Sequence, residues 1–194
     1  MPDLFSDHIS NEEIQQLPLL SFEGDIYIVD DESSFREAIR ILQGVSVLGF
    51  DTEKKPTFKK GQYHPTALVQ LATFREVFLF RLNEIGYEKR LFDLLSDPYI
   101  TKYGISIDDD LRELVKLRDF KPAGFIDLNS VTNSMGVKHN GVRKLAALML
   151  NGRISKSQQT SNWENENLTL AQQKYAATDA WVCLKIYEAL ENLN

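Results

Sequence analysis

Three acidic clusters punctuate this chain: Asp51-Thr52-Glu53, Asp108-Asp109-Asp110, and Tyr175-Ala176-Ala177-Thr178-Asp179 close to the end. Each adjoins apolar sequence that would set it at the margin of a buried sheet, so a fold could bring four carboxylates to one point. Carboxylates crowded in that way repel one another unless cations lie among them. Ligands made of oxygen alone suit Mg²⁺ or Mn²⁺ rather than Zn²⁺. Two such ions about 4 Å apart are a device for cutting phosphodiesters by in-line attack.

In Val47-Leu48-Gly49-Phe50-Asp51-Thr52-Glu53, strand alternation puts Asp51 and Glu53 on one face and Leu48 and Phe50 on the other. Gly49 leaves room for close approach beside that strand. Ile105 to Leu114 places acids at a strand-to-helix junction, where Asp also serves as a cap and as a partner for the helix dipole. Asp108 is the expected cap there and Asp110 the better candidate ligand, although spacing alone does not choose among the three. In the last helix, Asp179 falls on a stripe with Ala171, Tyr175, Val182, Ile186 and Ala189. A core-facing carboxylate is costly unless it is paired or metal-bound. A tyrosine hydroxyl or backbone amides could also satisfy it. His64 and His139 lie in loop-like sequence with no second histidine at ligand spacing and read as surface residues. Trp163 and Trp181 read as core anchors, and Arg143 and Lys156 as candidate phosphate contacts.

The elements that must position these residues follow from periodicity. Ser10 with Glu13 has the form of a capping box opening a short helix. Asp25 to Val29 reads as a strand and Ser33 to Leu42 as an amphipathic helix. Strands follow over Val45 to Thr52, Thr66 to Thr73 and Glu76 to Leu82, the last two joined at Phe74-Arg75 as an antiparallel hairpin. Then come a helix (Tyr87 to Leu95), a strand (Ile100 to Ile107), a helix (Asp109 to Leu117) and a short strand (Phe125 to Leu128). Helices over Val131 to Met135, Val142 to Leu150 and Thr169 to Leu193 complete the chain. The pattern predicts one mixed α/β domain with helices on both faces of the sheet.

With 194 residues, 43% hydrophobic and 26% charged, the chain has the size and composition of one soluble domain. No apolar run reaches the roughly 20 residues a bilayer demands, and the acidic N-terminus is unlike a signal peptide, so a cytoplasmic protein without a membrane partner is expected. The single Cys183 can make no internal disulfide, in keeping with a reducing compartment, and is expected to pack in the C-terminal helix. A net charge of −6 argues against polyanion binding over the whole surface. Lys54, Lys55, Lys59 and Lys60, just after the first acidic pair, could still meet phosphates entering a metal site, or form a solvated loop.

Taken in order, several segments resemble the DEDDy 3′-5′ exonucleases: Gly49 to Glu53, Ala67 to Ala72, Lys102 to Asp110, Leu117 to Phe120, Ser161-Asn162-Trp163 with Leu168-Thr169, and Tyr175 to Ala180. The likeness runs from about Asp25 to Leu193 and is nearer to the Werner-type exonuclease domain than to ribonuclease D. It implies a ribonuclease H-like fold over 25–194, behind an extension over 1–24 that carries the short helix. It also implies motif I at Asp51 and Glu53, motif II at Asp110 and motif III at Tyr175 and Asp179. The choice of Asp110 comes from the family, whose motif II acid stands six residues after the glycine matched by Gly104. Lys54-Lys55 depart from the family by replacing bulky apolar residues before Pro56.

The implied activity is stepwise hydrolysis of nucleic acid from a free 3′ end to nucleoside 5′-monophosphates, with DNA favoured over RNA. Two Mg²⁺ or Mn²⁺ ions would be held by Asp51, Glu53, Asp110 and Asp179. Asp51 would bridge the ions, Glu53 and Asp179 would complete the first site, Asp110 would support the second, and Tyr175 would orient the attacking water. The rival readings are a catalytically inactive nucleic-acid-binding module of the same fold and a phosphoesterase of small nucleotides.

Overall fold

The computed structural model describes residues 9–137 and 141–193. In chain order the elements are α1 (Asn11–Gln16), β1 (Asp25–Val29), α2 (Glu32–Leu42), β2 (Val47–Lys54), β3 (Thr66–Ala72), β4 (Glu76–Arg81) and α3 (Leu82–Ile85). They continue with α4 (Lys89–Leu95), β5 (Thr101–Gly104), α5 (Asp108–Leu117), β6 (Phe125–Asp127), α6 (Leu128–Ser134), α7 (Val142–Leu150) and α8 (Leu170–Glu191). The strands form one sheet in the order β1-β4-β3-β2-β5-β6. Its centre, β4-β3-β2, is antiparallel, while β1, β5 and β6 add in parallel.

Local chemistry explains the element ends. Ser10 Oγ accepts from the Glu13 amide at 3.2 Å, and Glu13 Oε2 accepts from the Ser10 amide at 2.8 Å, the reciprocal pair that the spacing predicts. Thr73 turns the hairpin, its hydroxyl accepting from the amides of Arg75 and Glu76. Every residue of β3 is buried, as befits a strand covered on both faces.

Alternation along β2 divides the core. Leu48 and Phe50 join α2, α4 and α5 in one apolar layer. On the opposite face, Leu68 and Ala72 of β3 meet Ala176, Ala177, Ala180 and Leu184 of α8, with Phe22 from the N-terminal segment and Trp163. A third layer packs α6 and α7 against the outer side of α8, through residues such as Leu145 and Val182. Because α8 lies between the sheet and α7, burial spreads around its circumference instead of following one stripe. Ala171 is accordingly exposed and Ala189 half-buried, contrary to the expected stripe, while Tyr175, Asp179, Val182 and Ile186 do face protein.

Two glycines set the tightest approaches. A Cβ on Gly49 would fall inside contact distance of the Ala180 carbonyl oxygen, so only glycine lets α8 come this close to β2. A Cβ on Gly104 would collide with Ile107 and crowd the Phe50 carbonyl. The strand ending there is shorter than the periodicity suggested: Ser106 adopts φ +60, which breaks the ladder before Ile107. Its amide donates to Asp127 Oδ1 at 3.1 Å, and Asn129 Nδ2 donates to its hydroxyl at 2.7 Å. The helix that follows is capped by Ile107 without a side-chain bond, so Asp108 is its first residue and not its cap. Among the described residues no helix is long and apolar enough to cross a membrane.

Candidate active site

The acids come from opposite faces of the sheet. Asp51 and Glu53 share the α8 face of β2, and the Gly49–Ala180 contact brings Asp179, one residue before Ala180, against them. One carboxylate oxygen from each of Asp51, Glu53 and Asp179 lies within 4.8 Å of the other two. Tyr175 stands one turn before Asp179 on α8, and its ring is 5.9 Å from that of Trp163.

Asp110 arrives by a different route. It occupies the first turn of α5, which packs on the Leu48 and Phe50 face. Thr52 points to that face, and its hydroxyl donates to Asp110 Oδ1 at 2.5 Å. This bond ties Asp110 to the strand that carries Asp51 and Glu53. Asp109 pairs with Arg112 at the surface. Asp51, Glu53, Asp110, Tyr175 and Asp179 all line one cleft of about 590 Å³.

The electrostatics are those of anions short of counter-charge. Burial, then the charges of Asp179 and Asp110, push Asp51 well above the usual carboxylate range. Burial and the Asp51, Asp179 and Asp110 charges push Glu53 up to about 10. Burial raises Asp179 to about 7, against the opposing influence of the Tyr175 hydroxyl. Asp110 is also raised by burial, while its bond from Thr52 and the nearby Lys54 act the other way. Burial and the carboxylates of Asp179, Glu53 and Asp51 hold the Tyr175 phenol far above its ordinary value, so it stays protonated. Three converging oxygen donors that resist ionisation on their own fit a hard divalent cation, which would stabilise their charged forms.

Several neighbours were not singled out from sequence, or were read differently. Thr52 stands between two acids in sequence, and only the position of α5 gives it a partner. Glu164 accepts from Lys55 Nζ at 3.1 Å and meets His64 Nδ1 at 3.3 Å, so His64 is a half-buried loop anchor and not a free surface residue. Arg81 is buried and donates to the carbonyls of Asn165 and Glu166, fastening the segment that carries Trp163. Gln70 stands opposite Asp51 in the β2–β3 ladder, fully buried, with no hydrogen-bond partner on its carboxamide among the described residues. Trp163 is fully buried and Trp181 partly so. Cys183 packs in α8 with its thiol directed at the Asp179 carbonyl, 3.4 Å away. Val142 and Gln159 reach the cleft, whereas Arg143 beside Val142 has a buried Nε with no partner among the described residues and Lys156 is exposed. His139 lies outside the described residues.

The family model for 3′-5′ exonucleases matches residues 26–193. The chain therefore belongs to the 3′-5′ exonuclease family. It is 33% identical over 193 residues to the bifunctional 3′-5′ exonuclease/ATP-dependent helicase WRN of Mus musculus, a match covering 91% of this chain and 13% of that protein. It is 28% identical over 193 residues to ribonuclease D of Haemophilus influenzae, covering 98% of this chain and 47% of the relative. The chain thus spans less than half the length of either. The crystal structure of the Aedes aegypti Nibbler EXO domain superposes with a TM-score of 0.82 at 23% identity, over 89% of this chain and 91% of that one, which shows the same ribonuclease H-like α/β fold.

Proposed function

We propose that residues 25–194 act as a 3′-5′ exonuclease that removes nucleoside 5′-monophosphates from the 3′ end of nucleic acid, with DNA favoured and RNA also accepted. The observation that carries this reading is the meeting of Asp51, Glu53 and Asp179 within 4.8 Å in a cleft that Asp110 also lines. Mg²⁺ or Mn²⁺ would be held there, one ion by Asp51, Glu53 and Asp179, and a second between Asp51 and Asp110. When bound, such ions supply Lewis-acid charge to the attacking water and to the departing 3′ oxygen.

The chain's own residues do the rest. Thr52 holds Asp110 toward the cleft by a hydrogen bond to its Oδ1. Tyr175, protonated throughout the working pH range, positions a water through its hydroxyl and is itself no general base. Trp163, fully buried, packs its ring 5.9 Å from that of Tyr175 and backs the tyrosine on one side. Water gives up a proton to bulk solvent as it attacks the terminal phosphorus, the bond to the 3′ oxygen breaks, and that oxygen takes a proton from solvent to become the new 3′ hydroxyl.

The test is degradation of single strands and recessed duplexes of DNA and RNA with Mg²⁺ or Mn²⁺, beside Asp51→Asn and a chelator control. Stepwise release of 5′-mononucleotides that both controls abolish is the expected result. Equal degradation by Asp51→Asn would overturn the reading.

A further inference from the structure

The end of β2 and the loop joining it to β3 hold Lys54, Lys55, Lys59 and Lys60 in a chain of net charge −6. Two aromatic rings interrupt this positive run: Phe58 is 80% exposed and Tyr63 is 56% exposed. A single exposed apolar side chain needs no explanation. These rings are different in their setting, because Lys54, Lys55, Pro56 and Thr57 line the same cleft as the acids.

The loop is tied at two points beside that cleft. The Tyr63 hydroxyl donates at 2.6 Å to Glu113 on α5, one turn beyond Asp110. On the other side, Lys55 Nζ lies 3.1 Å from Glu164, next to Trp163. Lys55 is thereby committed to a carboxylate, whereas Lys54, Lys59 and Lys60 form no ion pair among the described residues. Phe58 is left standing into solvent beside Lys59 and Lys60. Stacking platforms interleaved with cations are the physical pattern of single-strand binding: the ring takes a base face, and the ammonium groups take phosphates. A base inside a duplex has both faces covered by its neighbours, so an exposed ring stacks most readily on unpaired bases.

We infer that the β2–β3 loop captures the single-stranded segment behind the 3′ end, with Phe58 stacking on an unpaired base and Lys54, Lys59 and Lys60 neutralising the phosphates around it. This deepens the exonuclease reading and rests on it for the direction in which the strand enters. Both rings and cations act on features common to DNA and RNA, so capture is indifferent to the sugar.

Binding and hydrolysis are measured separately. In chelator, fluorescence anisotropy follows binding of the full chain to short oligothymidylate, short oligouridylate and a blunt duplex. Phe58→Ala is expected to raise Kd for both single strands about tenfold. Lys59→Ala is expected to flatten the plot of log affinity against log salt by about 0.7. Phe58→Trp, which keeps a ring, should restore binding. Unchanged single-strand Kd in Phe58→Ala overturns the inference, as does a loss confined to one sugar or an equal loss on the blunt duplex. With Mn²⁺, the ratio of kcat/KM for a single strand to that for a small nitrophenyl nucleotide diester should fall about tenfold in Phe58→Ala, and an unmoved ratio also overturns it. Wild-type protein that cleaves neither substrate defeats the exonuclease reading instead, while the anisotropy result still decides the fate of the loop.

Discussion

The contact between β2 and α8 and the contact between β2 and α5 deliver acids to the same cleft in opposite ways. At the first, backbone meets backbone: Gly49 lies beneath the Ala180 carbonyl, and Asp179 is carried in by a helix buried on nearly every side. At the second, a half-buried Asp110 is held to the strand by one hydroxyl, that of Thr52, in the first turn of a helix with one fully buried residue, Leu114. Rigid packing therefore fixes three carboxylates that repel one another, whereas a single hydrogen bond steers the fourth. The difference suits a tight ligand set beside one that adjusts as substrate enters.

The largest effect should come from the rigid side. Asp179→Asn removes one of the converging ligands and should lower kcat about 10³-fold or more in Mg²⁺, read from single-turnover degradation. A fall of tenfold or less would show that the carboxylates within 4.8 Å are not a working set. Gly49→Ala attacks the same contact through packing. With the Ala180 carbonyl in the path of the new methyl group and Leu184 Cγ only 3.3 Å from it, the change should cost about 3 kcal/mol in denaturant unfolding. An unaltered midpoint would mean that the helix can retreat, and the rigidity assigned to this side would fail.

On the steered side, Thr52→Val deletes the hydroxyl and should reduce kcat roughly tenfold, matching the ~1.5 kcal/mol of a hydrogen bond to a charged acceptor. Much of that loss should be recovered at higher divalent-ion concentration. A loss as large as that of Asp179→Asn would erase the contrast between the two sides.

The remaining effect is on stability as a function of pH. Glu53 is pushed up from 4.5 to about 10 in the fold, so its protonated form is the favoured one there. Its contribution is fully present below pH 4.5 and is lost as pH rises toward about 10, because the unfolded chain ionises first. In chelator the thermal midpoint should drift down across that window, and Glu53→Gln should flatten the drift. Mn²⁺ should reverse it by binding the ionised ligands. A midpoint in chelator that rises across the same range would contradict the electrostatics described for Glu53.

Much of this was legible from residue order. The capping box at Ser10 and Glu13, the hairpin at Phe74-Arg75 and the shared face of Asp51 and Glu53 follow from local rules that act over two to four residues, and the structure contains all three. The end of β5 was not legible, because Ser106 takes its left-handed conformation from Asp127 and Asn129, which are distant in sequence. That turn in turn displaced the expected cap from Asp108 to Ile107. The surface reading of His64 failed for a similar reason, since Glu164 lies a hundred residues further along the chain.

The amino-acid sequence by itself determined the local alternatives: which residues alternate on a strand, which helix starts are capped, and which acids stand at element ends. Its motif order also marked the family. Only the tertiary structure decided that Asp51, Glu53 and Asp179 converge, that Asp110 reaches them through Thr52 from the other face of the sheet, and that α8 is buried all round. Hydrogen bonding and steric rules act between near neighbours and can be read along the chain. The sheet order and the close approach at Gly49 arise from burying apolar faces of remote segments together, and no window of sequence contains both partners.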